Sequence, residues 1–202
     1  AIAFATQWRF KPATEGRRVL MPVTFVSDRP SAKEYFQEME ARAIRIARLA
    51  ARHNKAAMEA ATEEMVAQFK RMKLFFPQRR MSREEARALQ SLYFKRGGYT
   101  TVDRMKAFDE MTKEMERLSE KYPYDVPLLK DLAFRKGLDP LEENRERWAK
   151  ILALAPNDPQ VWTGWASLWG KVDPELYVGA LVYSNSLLPS NPSSNQTLER
   201  TK

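Results

Sequence analysis

Three observations predict an all-α fold for this 202-residue chain. From Ser31 to Phe76 there is no Gly and no Pro, and Ala, Arg, Glu, Met and Lys, all good helix formers, dominate. Apolar residues recur along that stretch every three or four positions, the spacing of a bundle stripe. In the second half, prolines at 123, 156 and 189 stand at equal intervals, each preceded by a helical pattern. The expected architecture is a long N-terminal helix followed by a short helical-hairpin solenoid, with extended termini. Its parts are an arm over 1–30, the long helix over 31–76, a hairpin-repeat domain over 77–190 and a tail over 191–202.

The arm holds three prolines and no helical period. It reads as an extended segment anchored by Trp8, Phe10 and Phe25. Ser31-Ala-Lys-Glu34 is a capping box, in which the Ser oxygen accepts from the Glu34 amide and Glu34 reaches back. A helix starting there and running to Phe75 would be a rod of roughly 65 Å. Its seam is Phe36, Met39, Ala43, Ile46 and Ala50, then Ala57, Ala61, Met65, Phe69 and Met72, with His53 on the same line. The seam's middle is small, so another helix could approach closely. Arg45, Arg48, Arg52 and Lys55 form a basic ridge on another face.

Pro77 ends the rod. A second capping box, Ser82-Arg-Glu-Glu85, opens a helix that Gly97-Gly98 stops, and Thr100 or Thr101 caps the next, to about Lys121. Later helix starts are marked by Asp139-Pro140, Asp158-Pro159 and Asp173-Pro174, with Asp as N-cap and Pro at the first helical position. Around the three periodic prolines the text aligns as Tyr-Pro-Tyr-Asp-Val, Ala-Pro-Asn-Asp-Pro and Leu-Pro-Ser-Asn-Pro.

With Trp162, Trp165, Ala166 and Trp169 in a first helix and Pro156 closing the unit before it, residues 83–190 resemble the tetratricopeptide repeat family. The resemblance implies about two and a half degenerate helical hairpins and says little about the partner. Asn144 or Tyr177 stands where the family has a small residue in the second helix, and Gly97–Thr101 interrupts the earliest copy. A second resemblance lies at Met72-Lys73-Leu-Phe-Phe-Pro77-Gln-Arg-Arg-Met81-Ser82-Arg-Glu84-Glu85, which is similar to the end of the long helix in the mitochondrial ATP synthase peripheral-stalk subunit d. Lys121-Tyr-Pro-Tyr124 looks like a later motif of that family, displaced along the chain. It implies a stator that packs against other stalk helices and does no chemistry.

Chemistry finds little footing. No cysteine is present, which excludes disulfides, thiolate nucleophiles and Cys-ligated metals. The lone His53 on a helix seam reads as a packed or interfacial residue, and the Glu63-Glu64 and Glu84-Glu85 pairs point to different helix faces. No Gly-rich phosphate loop occurs. The expectation is therefore no enzyme, no cofactor and no metal site. No run approaches the roughly 18 apolar residues that would span a bilayer.

Charge is unevenly placed: residues 1–100 hold 20 Lys/Arg against 10 Asp/Glu, and residues 101–202 hold 14 against 16. The basic half calls for an acidic partner: RNA, an anionic lipid surface or an acidic protein. The candidate partner-binding residues are the seam Phe36, Met39, Ala43, Ile46, Ala50, Ala57 and Ala61; the ridge Arg45, Arg48 and Arg52; Arg71, Arg79 and Arg80 beside Phe75-Phe76-Pro77; and the cluster Trp162, Trp165 and Trp169, read as core or as a groove. The absence of Met at position 1 fits a removed targeting peptide or a trimmed chain. The functional expectation is a structural accessory subunit of a mitochondrial complex, on the matrix side and peripheral to the inner membrane. ATP synthase stands ahead of the respiratory complexes, and the alternative is an RNA-facing helical-repeat protein such as a mitochondrial ribosome component.

Overall fold

A computed structural model describes residues 31–94, 101–137 and 139–188, with the side chains of 93, 94 and 101–104 left aside. The expected arm with Trp8, Phe10 and Phe25, the Gly97-Gly98 stop and the polar tail lie outside the described residues. Those residues form helices and no strand: α1 (Ala32–Ala51), α2 (Lys55–Met72), a 3-10 turn (Lys73–Phe75), α3 (Arg83–Phe94), α4 (Thr101–Lys121), α5 (Val126–Arg135), α6 (Leu141–Leu154), α7 (Pro159–Ala166) and α8 (Pro174–Ser186). The all-α expectation holds.

The single rod does not. It breaks after Ala51, and α1 and α2 fold back on each other as a hairpin, with Gln68 donating to Glu38 and Arg45 reaching Glu64 across the gap. The cause is local and complete. His53 adopts φ 55°, the left-handed conformation that ends helices. The His53 amide donates to Ala50 O and the Asn54 amide to Leu49 O, both at 3.0 Å, which is the Schellman pattern. Asn54 then caps α2, its side chain accepting from the Ala57 amide at 3.2 Å. His53 is thus an exposed turn residue rather than a seam residue.

From α3 to α8 each helix packs on the next in sequence, while α1 lies against α2, α6 and α8. Two apolar clusters result. The larger joins Met39, Ile46, Met65, Trp148, Leu152, Trp162, Trp165 and Leu176. The smaller joins Met111, Met115 and Leu118 of α4 to Leu128 and Leu132 of α5. Burying each large side chain of this kind stabilises the fold by roughly 1.5–3 kcal/mol. The α1–α8 crossing is close because Gly179 has no side chain: a Cβ there would sit 1.8 Å from Ala47 O.

The capping signals divide. Ser82 and Glu85 form the reciprocal box as expected, with the Glu85 amide donating to Ser82 Oγ at 3.2 Å and the Ser82 amide to Glu85 Oε2 at 3.0 Å. Asp158 and Asp173 cap α7 and α8 with Pro at the first position. Asp139 is the exception. Pro140 occupies the N-cap of α6, and the Asp139 carboxylate is taken instead by Arg147 at 2.7 Å. An unexpected cap is Asp125, which accepts from the Leu128 amide at 3.3 Å and from the Met81 amide at 2.8 Å, tying the loop before α3 to the start of α5.

Candidate functional site

The α1 seam is used by the chain itself. Met39, Ala43, Ile46 and Ala50 are buried under α8, α6 and α2, and Ala61 of α2 is buried with them. Phe36 and Ala57 are half-buried. The basic ridge is also engaged within the chain: Arg45 pairs with Glu64 at 3.0 Å, Arg48 with Asp173 at 3.7 Å and Arg52 with Glu175 at 2.9 Å. The last two pin α1 to the first turn of α8 and its cap.

Trp162, Trp165 and Trp169 are core. Their rings meet edge to face at 5.8 and 5.7 Å, and Trp162 also meets Tyr183 at 4.4 Å. The Trp162 indole N–H donates to Pro156 O at 2.7 Å, so the proline between α6 and α7 also orients an aromatic of α7. The indole N–H groups of Trp165 and Trp169 are buried without an acceptor.

An open groove of about 740 Å³ runs between α1 and α6. Phe36, Ile44 and Ala149 line it, and the Arg145–Glu40 pair spans it, Arg145 Nε donating to Glu40 Oε1 at 2.9 Å. Lys150 borders it beneath the Tyr124 ring, and burial pushes its ammonium pKa down. The groove mixes both signs of charge and converges on no single ligand type.

The arrangement differs at the elbow between α2 and α3. Phe76 is anchored in the core, stacked on Tyr35 at 5.0 Å and edge-on to Tyr124 at 5.3 Å. Tyr35 in turn donates to Ala153 O at 3.0 Å, and burial pushes its pKa up. Gln78 donates to Leu154 O at 2.7 Å. Pinned at Phe76 and Gln78, the 3-10 turn holds its other side chains outward: Leu74 is 82% exposed and Phe75 41%. Flanking them in sequence are Lys70, Arg71, Lys73, Arg79 and Arg80, and α3 continues the series with Arg83 and Arg87. All seven are exposed, and none has an ion pair or side-chain hydrogen bond among the described residues. Two acids lie in the same stretch. Glu85 is engaged by Lys121 at 2.8 Å and by the Tyr122 hydroxyl at 2.7 Å; these bonds, with Ser82, hold its carboxyl down to about 2.

No family model, curated protein or solved structure matches this chain. Among the described residues no His, Asp and Glu converge in threes to hold a metal ion, and no helix is long and apolar enough to cross a membrane.

The structure therefore joins Arg71, Arg79 and Arg80 to four cations that sequence reasoning passed over, Lys70, Lys73, Arg83 and Arg87, and to the outward Leu74. The signal was present as an excess of cations over acids between 70 and 87. What the sequence could not supply was the pairing state, which separates these cations from the ridge on α1.

Proposed function

We propose that this chain is a non-catalytic structural subunit of a mitochondrial multi-subunit complex, peripheral to the inner membrane on its matrix side. The observation that carries the subunit reading is the outer face of α8. From Leu176 to Leu188 the chain has no charged residue. Leu176, Ala180 and Tyr183 face the core, yet Val178 and Val182, one turn apart, are 51% and 37% exposed. In a stacked helical array the end helix ordinarily presents a polar outer face, because nothing covers it. An apolar outer face on the last described helix fits a neighbouring subunit that does.

A tetratricopeptide-like array is part of the same proposal, supported by the next-neighbour packing of α3 to α8 and by the Asp-Pro starts of α7 and α8. The assignment to ATP synthase, ahead of the respiratory complexes, rests on the resemblance of Met72–Glu85 to the peripheral-stalk subunit. The hairpin of α1 and α2 removes the long rod as a support for it. The test is capture of tagged chain from detergent-solubilised mitochondria in a high-salt wash, with mass spectrometry of what remains. ATP synthase or respiratory subunits should be retained, and Val178→Glu/Val182→Glu should release them. Recovery of ribosomal proteins with RNA, or loss of every partner in salt, would overturn the reading.

A further inference from the structure

We infer that the elbow between α2 and α3 is a docking tip for an anionic lipid surface, with Leu74 entering the headgroup layer and the cations that flank it in sequence meeting lipid phosphates. The inference stands on residues other than the α8 face, so either reading can fail alone.

Charge complementarity is the first argument. Between residues 70 and 87 there are seven Lys/Arg and two Asp/Glu. The chain neutralises its other large basic feature, the α1 ridge, with Glu64, Asp173 and Glu175. At the elbow it recruits no acid to the cations. Of the two carboxylates in this stretch, Glu85 is turned to Lys121 and Tyr122, and Glu84 forms no ion pair among the described residues. Clustered basic residues near an anionic bilayer each add to binding, and the effect fades within a Debye length of the surface.

Shape is the second argument, and it chooses lipid over nucleic acid. A strand of RNA is held by aromatic faces on which bases stack. At the elbow one face of Phe76 is stacked on Tyr35 with Tyr124 against the ring, and Phe75 already has an interaction within the chain. The most exposed large apolar side chain among the described residues is Leu74, an aliphatic group without a stacking face. An aliphatic residue this exposed, flanked in sequence by long amphipathic cations, matches the boundary between headgroups and acyl chains. Lys and Arg can lay their methylene stems along apolar material while keeping their charge in water.

Rigidity is the third. Phe76 in the core and the Gln78–Leu154 hydrogen bond fix the turn on both sides of Pro77. Leu74 therefore need not be ordered at the moment of binding, which removes part of the cost of association.

The experiment is flotation of the full chain with vesicles of phosphatidylcholine alone or with about one third phosphatidylglycerol, as binding of this electrostatic-plus-apolar kind requires anionic lipid. Binding is expected on the anionic vesicles and at least ten-fold weaker on the neutral ones. Leu74→Ser should lower it about ten-fold, and Arg79→Glu/Arg80→Glu further, with circular dichroism and Tm unchanged because these three side chains are exposed. Lys106→Glu/Lys113→Glu, which removes exposed cations of α4, should have little effect. Absence of vesicle binding overturns the inference. So does tighter binding to single-stranded poly(U) or to polyglutamate that is indifferent to Leu74→Ser, since the elbow would then be a nucleic-acid or acidic-protein contact.

Discussion

Gly179 and Gly164 each stand where a side chain would enter another helix. A Cβ on Gly164 would lie 2.0 Å from Cη2 of the buried Trp148, and one on Gly179 would strike the Ala47 carbonyl. Helix propensity alone favours Ala over Gly in a helix interior by about 1 kcal/mol. The packing term opposes it and is larger, about 1–3 kcal/mol or more for overfilling a close-packed contact. Gly179→Ala should therefore lower stability in urea denaturation, and by more than Gly164→Ala, because backbone cannot step aside as an indole can. An increase in stability would show that the crossing is looser than drawn. The Arg145–Glu40 pair is similarly asymmetric. Glu40 is 6% exposed, whereas Arg145 reaches solvent and lies over Trp169. Arg145→Met leaves a buried carboxylate without its partner and should cost about 3 kcal/mol. Glu40→Gln leaves a guanidinium that can turn to water or to Glu142, and should cost less. Equal losses in parallel denaturation curves would count against this account.

Among the helices, the α1–α2 junction shows what could and could not be read. Composition and periodicity predicted helix on both sides of His53 correctly, but periodicity does not register a single left-handed residue. The clue was Asn54, a strong N-cap type, after His53, one of the few residue types enriched at positive φ, just where the seam skips a step between Ala50 and Ala57. His53→Gly should stabilise the chain by up to about 1 kcal/mol by removing the Cβ strain of that conformation. Asn54→Ala should destabilise it by about 1 kcal/mol through loss of the cap. Opposite signs in thermal melts are the expected outcome; a continuous helix would give the reverse for the glycine. The Ser82–Glu85 box, by contrast, was legible because its geometry is local. Its link to Lys121 and Tyr122 was not, being thirty-six and thirty-seven residues away. That network has a pH signature. The Glu85 carboxyl, ordinarily near 4.5, is held down to about 2 by Lys121, Tyr122 and Ser82. The folded state thus binds the proton more weakly than the unfolded state, and the contribution is complete above 4.5 and lost as pH falls toward 2. Glu85→Gln should lower the urea midpoint at pH 6, with the gap to wild type closing by pH 2. A gap that persists at pH 2 would place the effect outside ionisation.

Across the molecule, α1 is the element that the linear reading placed least well. Its apolar stripe was plain in the sequence, and so was the small middle that invites close approach. The partner was not, because a stripe records only that something covers it. Here the cover is α8, whose Gly179 lies 132 positions beyond Ala47. Tyr35 bonds to Ala153, Arg145 to Glu40 and Arg52 to Glu175 across similar separations. Helices α3 to α8 are thus closed by a helix that precedes them, and the described residues from 32 onward form one compact unit. The Pro77 boundary, so evident as a change of helical text, lies inside that unit. Helices α3 to α8 should not persist without α1. Removal would uncover Leu176, Ala180 and Tyr183 on α8 and Ala149 and Ala153 on α6, and would leave Asp173 and Glu175 without Arg48 and Arg52. Long-range contacts also make folding wait on chain closure, so the loss should be cooperative rather than local. A chain lacking residues 1–76 is expected to be protease-sensitive throughout and to show no cooperative melt. A peptide spanning Ser31–Met72, added in trans, should restore a single transition whose midpoint rises with peptide concentration, since binding to the folded form alone shifts the equilibrium by mass action. A truncated chain that melts sharply on its own would show that the consecutive hairpins suffice and that α1 is an addition to a fold already complete.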